Sequence, residues 1–202
     1  MQTPHLDCVG RCPDRLMMRD GAGVMVRLAS VADAVALQSC FRDLSISSRY
    51  NRLMGAASEL PAEQLQKIIH SGRGGTSVLA VTQVDGCEQI VGEARYAFDQ
   101  DGWRVELRLS IDDRPQRWGL GAALLSNLEG RAAALGAAQL FGDTLRSNHA
   151  MLAVARKAGF ALAATPGDWK QVRFEKRIDA MPQALPGASL RMAGRGEVAM
   201  AH

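Results

Sequence analysis

Hydrophobic and polar residues alternate along residues 105–111. The apolar positions are Val105, Leu107, Leu109 and Ile111, and the polar positions between them are Glu106, Arg108 and Ser110. A period of two predicts a β-strand with one buried face and one polar face. Residues 77–83 and 89–98 are also rich in β-forming residues, and turn-forming residues separate the three segments. An antiparallel meander with strands at 77–83, 89–98 and 103–111 is therefore expected.

Helical spacing of apolar residues precedes this meander. Ser30 is expected to cap a helix, and Pro61 to open another that ends near Gly72. The expected buried positions are Val31, Val35, Leu37 and Phe41 in the first helix and Leu65, Ile68 and Ile69 in the second. Between these two helices, residues 45–60 predict a helical turn or two that breaks at Gly55.

Two helices are expected after the meander. The first carries the apolar stripe Leu124, Leu125, Leu128 and Leu135 and stops at Gly136. The second spans residues 148–158 and ends at Gly159. Both glycines follow a periodic segment, which is typical of helix C-termini.

Three further strands complete the expected order of strand, two helices, three strands, helix, strand, helix and strand. They lie at residues 24–28, 139–144 and 172–178, and a right-handed crossover would place 139–144 parallel to the last strand of the meander. This order predicts a mixed α/β (α+β) fold in a domain of residues 23–178. Residues 1–22 and 179–202 lack periodicity and are expected to be flexible ends.

Composition narrows the class of protein. The chain has 202 residues, of which 47% are hydrophobic and 22% charged, as in a soluble globular domain. The formal charge is only +3 and no stripe of basic and aromatic residues occurs, so no nucleic acid is expected as a partner. No apolar run approaches the ~20 residues that span a bilayer. The first residues do not have the pattern of a secretory leader. A cytoplasmic location without membrane attachment is predicted.

The four cysteines are scattered at Cys8, Cys12, Cys40 and Cys87, which argues against a disulfide framework. His5, Cys8 and Cys12 could be imagined as metal ligands. A fourth ligand at the spacing of a zinc site is missing, so no metal is expected.

The glycine-containing turn that follows the strand of residues 103–111 carries candidate ligand chemistry. Gly119 and Gly121 have no Cβ, so the backbone can approach a ligand and present the N–H groups of the following helix. The helix dipole and the flanking Arg114 and Arg117 favour an anion, such as a phosphate or pyrophosphate. The alternative is a turn whose glycines only relieve crowding. The missing third glycine argues against a dinucleotide fingerprint, and the G-K-[ST] sequence of a Walker loop does not occur here.

The same turn contains the pattern Q-x-x-G-x-G, formed by Gln116, Gly119 and Gly121. The segment N-H-A-M-L-A-V-A-R-K-A-G-F follows it at residues 148–160. In this order and spacing, residues 24–178 resemble the GNAT superfamily of acyl-CoA-dependent N-acyltransferases. Residues 48–54 and the segments V-G-E-A-R-Y and V-E-L are similar to the acetyltransferase domain of bacterial protein lysine acetyltransferases, although Leu53-Met54 replaces a double aromatic. The resemblance implies a GNAT-like, mostly antiparallel central sheet with helices on both faces. A splayed strand pair would form the acyl-CoA cleft.

The resemblance also implies where acetyl-CoA, the expected co-substrate, would bind. Pantetheine would run beside the strand that ends at Ile111, and backbone N–H groups near Leu109, Ser110 and Ile111 would polarise the thioester carbonyl. Asn148 would contact pantetheine or the splayed strands, or would act only as a helix N-cap. Arg156 or Lys157 could touch the 3′-phosphate, or lie on a solvated face. The pyrophosphate would lie on the backbone amides of Gln116, Arg117, Trp118, Gly119, Leu120 and Gly121.

Glu106 is the expected general base by the same resemblance, acting directly or through water on the amine acceptor. Two alternatives stay open: Glu106 is a solvated carboxylate paired with Arg108 or Arg95, or Glu93 on the neighbouring strand is the base, unless Glu93 only pairs with Arg95. Many relatives use a tyrosine on the later helix as the acid, but the only tyrosines here are Tyr50 and Tyr96. Solvent would then protonate the thiolate, or the thiolate would leave unprotonated. Tyr50 is assigned to the acceptor pocket or to packing.

The expected partners are acetyl-CoA and an amine acceptor, either a small molecule or a protein lysine. The acceptor pocket would be built from residues 45–75, and a homodimer is left open. The rival hypothesis from another class is a non-catalytic acyl-CoA-binding module, a sensor or regulatory subunit that binds the ligand without turnover.

Overall fold

A single sheet organises the chain. The computed structural model describes residues 13–18, 21–70, 75–112, 119–165 and 167–178, and within them it contains eight strands and five α-helices. The strands are β1 (Asp14–Met17), β2 (Gly23–Leu28), β3 (Thr76–Val84), β4 (Cys87–Phe98), β5 (Arg104–Ile111), β6 (Gln139–Leu145), β7 (Ala161–Ala164) and β8 (Gln171–Arg177). The helices are α1 (Ala34–Asp43), α2 (Ile46–Leu53), α3 (Ala62–Ile69), α4 (Leu120–Ala134) and α5 (His149–Lys157).

The strands follow the order β1-β2-β3-β4-β5-β6-β8-β7. Strands β3, β4 and β5 form the predicted antiparallel meander, and β6 lies parallel to β5 as the crossover through α4 requires. All other neighbours are antiparallel. The mixed, mostly antiparallel sheet expected from the sequence is confirmed.

Helices cover both faces of the sheet, as predicted. On one face, α4 and α5 pack on the central strands, and Leu124, Leu125 and Leu128 of α4 are fully buried. On the other face, α1 and α3 cover β3 and β4 through a second apolar cluster that includes Phe41 and Ile68. Each cluster removes a continuous apolar surface from water, which is the main stabilising contribution to such a fold.

The apolar stripe predicted for the first helix is only half correct. Leu37 and Phe41 are buried, but Val31 and Val35 are 61% and 81% exposed. The helix begins with a 3-10 turn at Val31–Asp33, after Ser30, whose backbone N–H donates to the Asp33 carboxylate. Val35 and Leu37 lie two positions apart in the α-helix, about 200° around its axis, so they cannot both face the core. Leu135, the last member of the predicted α4 stripe, is also 36% exposed.

Two strands and one helix differ from the expected order. Strands β1 and β7 occupy the two ends of the sheet, and each pairs with only one neighbour. Edge strands need less apolar sequence, because one side of the strand faces solvent. The sheet therefore starts at Asp14, ahead of residue 23, where the folded part was expected to begin. Three helices, α1 to α3, precede the meander instead of two. None of the described helices has the length and apolar character needed to cross a membrane.

Candidate active site

A cleft opens where β5 and β6 separate. The two strands pair only from Arg104–Gln139 to Glu106–Phe141, whereas β6 continues to pair with β8 along its whole length. Beyond Glu106, the edge of β5 that faces β6 is therefore unpaired with it. A cleft of about 620 Å3 lies here, lined by β5, α2, the first turn of α4, β6, α5 and β8. The splayed strand pair that the resemblance implied is present.

The register of β4 and β5 determines which backbone groups face this cleft. The Asp112 N–H donates to the Val91 carbonyl on the β4 side at 3.0 Å. Because backbone groups alternate between the two edges of a strand, Ser110 also points toward β4, whereas Leu109 and Ile111 point toward the open edge. Of the three residues named from the sequence, Leu109 and Ile111 thus direct their N–H and C=O groups into the cleft. Ser110 lines the cleft, but its backbone is turned to β4.

The start of α4 forms the end of the cleft that is away from Glu106. Gly119 is the N-cap residue with φ 84°, a left-handed conformation that favours glycine, and its carbonyl accepts from the Ala123 N–H at 3.1 Å. Gly119 and Gly121 line the cleft, whereas the Leu120 side chain is fully buried in the core. The remaining members of the predicted turn, Gln116, Arg117 and Trp118, lie outside the described residues, as does Arg114.

Gly121 has a packing role in addition to any role in ligand approach. A Cβ at this position would lie 3.0 Å from Ile111 Cδ1 and 3.5 Å from Val154 Cγ2. Glycine therefore lets the first turn of α4 sit close to both β5 and α5. The crowding alternative considered for the turn applies to Gly121, while the positive φ explains the glycine at position 119.

Glu106 lies at the point where β5 and β6 separate, and its side chain lines the cleft. Its Oε1 accepts from Arg108 Nε at 3.0 Å and lies 2.9 Å from Arg108 Nη2. The two side chains are 36% and 45% exposed, so this is a solvent-screened pair. Glu106 is thus paired with Arg108, as one of the two alternatives taken from the sequence expected, and it also lines the cleft.

Glu93 is placed differently from the expectation. It pairs with Arg52 of α2 rather than with Arg95, and both side chains are buried, at 6% and 8% exposure. Burial raises the pKa of the Glu93 carboxyl, although Arg52, Arg95 and Arg108 oppose this rise. Glu93 lies beneath α2 and is not among the residues that line the cleft, whereas Arg52 is.

Asn148 has the N-cap role that was one of its two expected roles. It is the N-cap of α5, where its Oδ1 accepts from the Met151 N–H at 3.2 Å. Its Nδ2 donates to Thr144 Oγ1 of β6 at 3.1 Å, and the residue lines the cleft. The two hydrogen bonds fix the orientation of the amide at the mouth of the splayed strands.

Helix α2 closes the cleft on the side of Glu106. It contributes Ser48, Asn51 and Arg52 to the lining, with Met54 just beyond its end, so residues 45–75 do supply a wall. Tyr50 does not line the cleft, and it is 47% exposed. At the far end, Lys157 of α5 reaches the cleft.

Several lining residues were not identified from the sequence. They are Asp143 and Thr144 of β6, Met151 of α5, and Gln171 and Phe174 of β8. The residues of β6 and β8 meet only through the register of these two strands, so local patterns carry no signal for them. Among the described residues, no group of three or more potential metal ligands comes together. His5, Cys8 and Cys12 lie outside those residues.

Comparison with known proteins agrees with this architecture. The structure is similar to the GNAT domain of S. lividans PAT, with a TM-score of 0.74 and 22% identity over 88% of this chain and 100% of that chain. It is also similar to a GNAT family acetyltransferase from Streptococcus pneumoniae, with a TM-score of 0.59 and 21% identity over 77% of this chain and 99% of that chain. A cAMP-binding acyltransferase from Mycobacterium smegmatis matches with a TM-score of 0.56 and 16% identity, over 85% of this chain and 49% of that chain.

Because all three sequence identities are low, the structural similarities establish only the fold. The sequence itself matches the model of the acetyltransferase (GNAT) family over residues 40–160. This match covers more than half of the 202 residues and includes α2, the meander, the turn before α4, and α5. The chain therefore belongs to the GNAT acetyltransferase family.

Proposed function

We propose that the protein transfers an acetyl group from acetyl-CoA to a primary amine by direct attack of the amine on the thioester. The observation that carries the proposal is the unpaired edge of β5. Glu106 lies where this edge begins, at one end of the cleft, and the first turn of α4 lies at the other end. Membership of the GNAT family supports acetyl transfer and acetyl-CoA as the co-substrate.

In this proposal the turn at residues 116–121 binds the pyrophosphate through the amides that open α4. Pantetheine lies along the open edge of β5 like an added strand and bonds with the backbone of Leu109 and Ile111. Asn148, fixed by its bonds to Met151 and Thr144, contacts the same arm. An N–H from this edge stabilises the oxyanion that develops on the thioester carbonyl.

Glu106 serves as the general base. A typical alkylammonium has a pKa of about 10.4, so most of the acceptor is protonated at neutral pH and must lose a proton before attack. Arg108 bonds to Oε1 of Glu106, and within the described residues Oε2 of Glu106 makes no hydrogen bond or ion pair, so it can take that proton. The amine nitrogen then forms the bond to the acetyl carbon and gives up a second proton to solvent, and the carbon–sulfur bond breaks to release CoA thiolate.

The sequence of α5, H-A-M-L-A-V-A-R-K, has no tyrosine to protonate the thiolate. Solvent in the open cleft can supply this proton, or the thiolate can leave without one. A thiol has an ordinary pKa of about 8.5, so the thiolate is a moderate leaving group near neutral pH.

The test measures release of free thiol from acetyl-CoA against a panel of amines and lysine peptides. Turnover with at least one amine is expected. Glu106→Gln should lower kcat by about 10²- to 10⁴-fold at neutral pH, the usual contribution of a general base, with the dissociation constant for CoA unchanged. Binding of CoA without turnover of any acceptor would instead favour a sensor or regulatory module. An unchanged rate in Glu106→Gln would remove Glu106 from the role.

A further inference from the structure

Two arginines face each other across the polar side of the sheet next to Glu106. Arg95 of β4 and Arg108 of β5 are direct partners in the antiparallel register, so their side chains leave the same face. Like charges at directly opposed positions destabilise a sheet. A pair that violates this rule beside a cleft suggests a functional reason for keeping it.

A third arginine contacts the same face of the sheet from a helix that packs on it. Arg52 of α2 bonds to Glu93, which lies on the same face of β4 two residues before Arg95. Arg108 and Arg52 act on Arg95 as like charges, and Glu93 and Glu106 act on it as opposite charges. Burial, and then Arg108, lower the pKa of Arg95.

Two of these arginines open to the cleft. Arg108 is 45% exposed and contacts Glu106, and the buried Arg52 also lines the cleft. Two guanidinium groups thus lie on the wall formed by α2 and β5, which also carries the proposed base. A guanidinium that has unused donors is suited to a carboxylate, which it can bind through two parallel hydrogen bonds.

We propose that Arg108, assisted by Arg52, binds a carboxylate of the acceptor, so that the acceptor is a free amino acid or a similar short amine with a carboxylate. This inference rests on the proposed acetyl transfer. Because Glu106 and Arg108 touch each other, the amine and the carboxylate they bind must be only a few bonds apart. A zwitterion replaces the single Glu106–Arg108 pair with two ion pairs, ammonium to Glu106 and carboxylate to Arg108. A lysine side chain in a protein has no such carboxylate near its amine.

The test compares each free amino acid with the carboxamide of the same amino acid and with a lysine peptide. Values of kcat/KM are corrected for the fraction of neutral amine. The free amino acids should be preferred by roughly tenfold to a hundredfold, the usual range for a hydrogen bond to a charged group. In Arg108→Gln this preference should disappear, and in Arg108→Lys part of it should persist. The ratio of the two acceptors cancels any effect of the variant on Glu106.

Arg42→Gln is the matched control, because Arg42 is an exposed arginine of α1 that pairs with Glu59 and does not line the cleft. It should leave the preference intact. Equal rates with amino acids and carboxamides, or faster turnover of the peptide, would overturn the inference and leave acetyl transfer standing. A preference that survives in Arg108→Gln would overturn it as well. If no amine is acetylated at all, the proposed function fails, and this inference fails with it.

Discussion

The buried pair of Arg52 and Glu93 allows a prediction about stability. Arg52→Met removes the positive partner but keeps a side chain of similar length, and it leaves the Glu93 carboxylate buried at 6% exposure. Breaking a buried ion pair from one side costs about 3–5 kcal/mol. Because Arg95 and Arg108 still act on Glu93, we expect about 3 kcal/mol, at the lower end of that range.

The assay is urea unfolding followed by circular dichroism, with thermal unfolding as a second measurement. For a domain of this size, a loss of about 3 kcal/mol corresponds to a decrease in Tm of roughly 6–12 °C. Arg42→Met is the matched control, because the Arg42–Glu59 pair is 56% and 59% exposed and should contribute at most about 1 kcal/mol. The double variant Arg52→Met, Glu93→Leu should recover much of the loss, since no charge stays buried.

The loss should also depend on pH. The folded-state pKa of Glu93 is raised above its ordinary value of 4.5, so its protonated form favours the folded state, and stability decreases as the pH rises from 4.5 through the folded pKa. Removing Arg52 removes a group that lowers this pKa, which raises it further and enlarges the penalty above pH 4.5. The difference between wild type and Arg52→Met should therefore be small near pH 4.5 and grow toward pH 7. A loss below about 1 kcal/mol at pH 7, or one independent of pH, would refute this reasoning.

Three further predictions concern the cleft and the core. Asn148→Ala should cost about 1 kcal/mol of stability through loss of the N-cap, and it should raise KM for acetyl-CoA. Asn148→Ser should restore the stability but not KM. Equal KM values in wild type and Asn148→Ala would exclude a contact with the ligand. Gly119→Ala forces a side chain into φ 84° and should lower stability by about 1–2 kcal/mol, which urea unfolding measures; no loss would contradict the left-handed conformation. Leu124→Ala should cost about 2–5 kcal/mol because Leu124 is fully buried under the sheet; a loss below 1 kcal/mol would contradict its central place in the core.

The sequence alone predicted the elements whose signal is local. Alternation in residues 105–111 gave β5 with its polar face, and the glycine turn with the apolar segment after it gave the start and end of α4. The parallel placement of β6 also followed from the sequence, because a helix between two successive strands is the usual connection of a parallel pair. Strands β1 and β7 were not predicted, because they are edge strands whose pairing comes from a neighbour rather than from their own composition.

The tertiary structure decided which side chains meet. The sequence alone places Glu106 and Arg108 on the polar face of β5. Their positions relative to Arg95, Glu93 and Arg52 depend on strand register and on where α2 lies. These contacts join residues more than forty positions apart in the case of Arg52 and Glu93, so no local pattern encodes them. The separation of β5 from β6 is likewise a property of the assembled sheet, because β6 keeps its pairing with β8 while it loses β5. The residues proposed to act in acetyl transfer were named from the sequence, whereas the cleft and the charged groups around it come together only through the packing of distant segments.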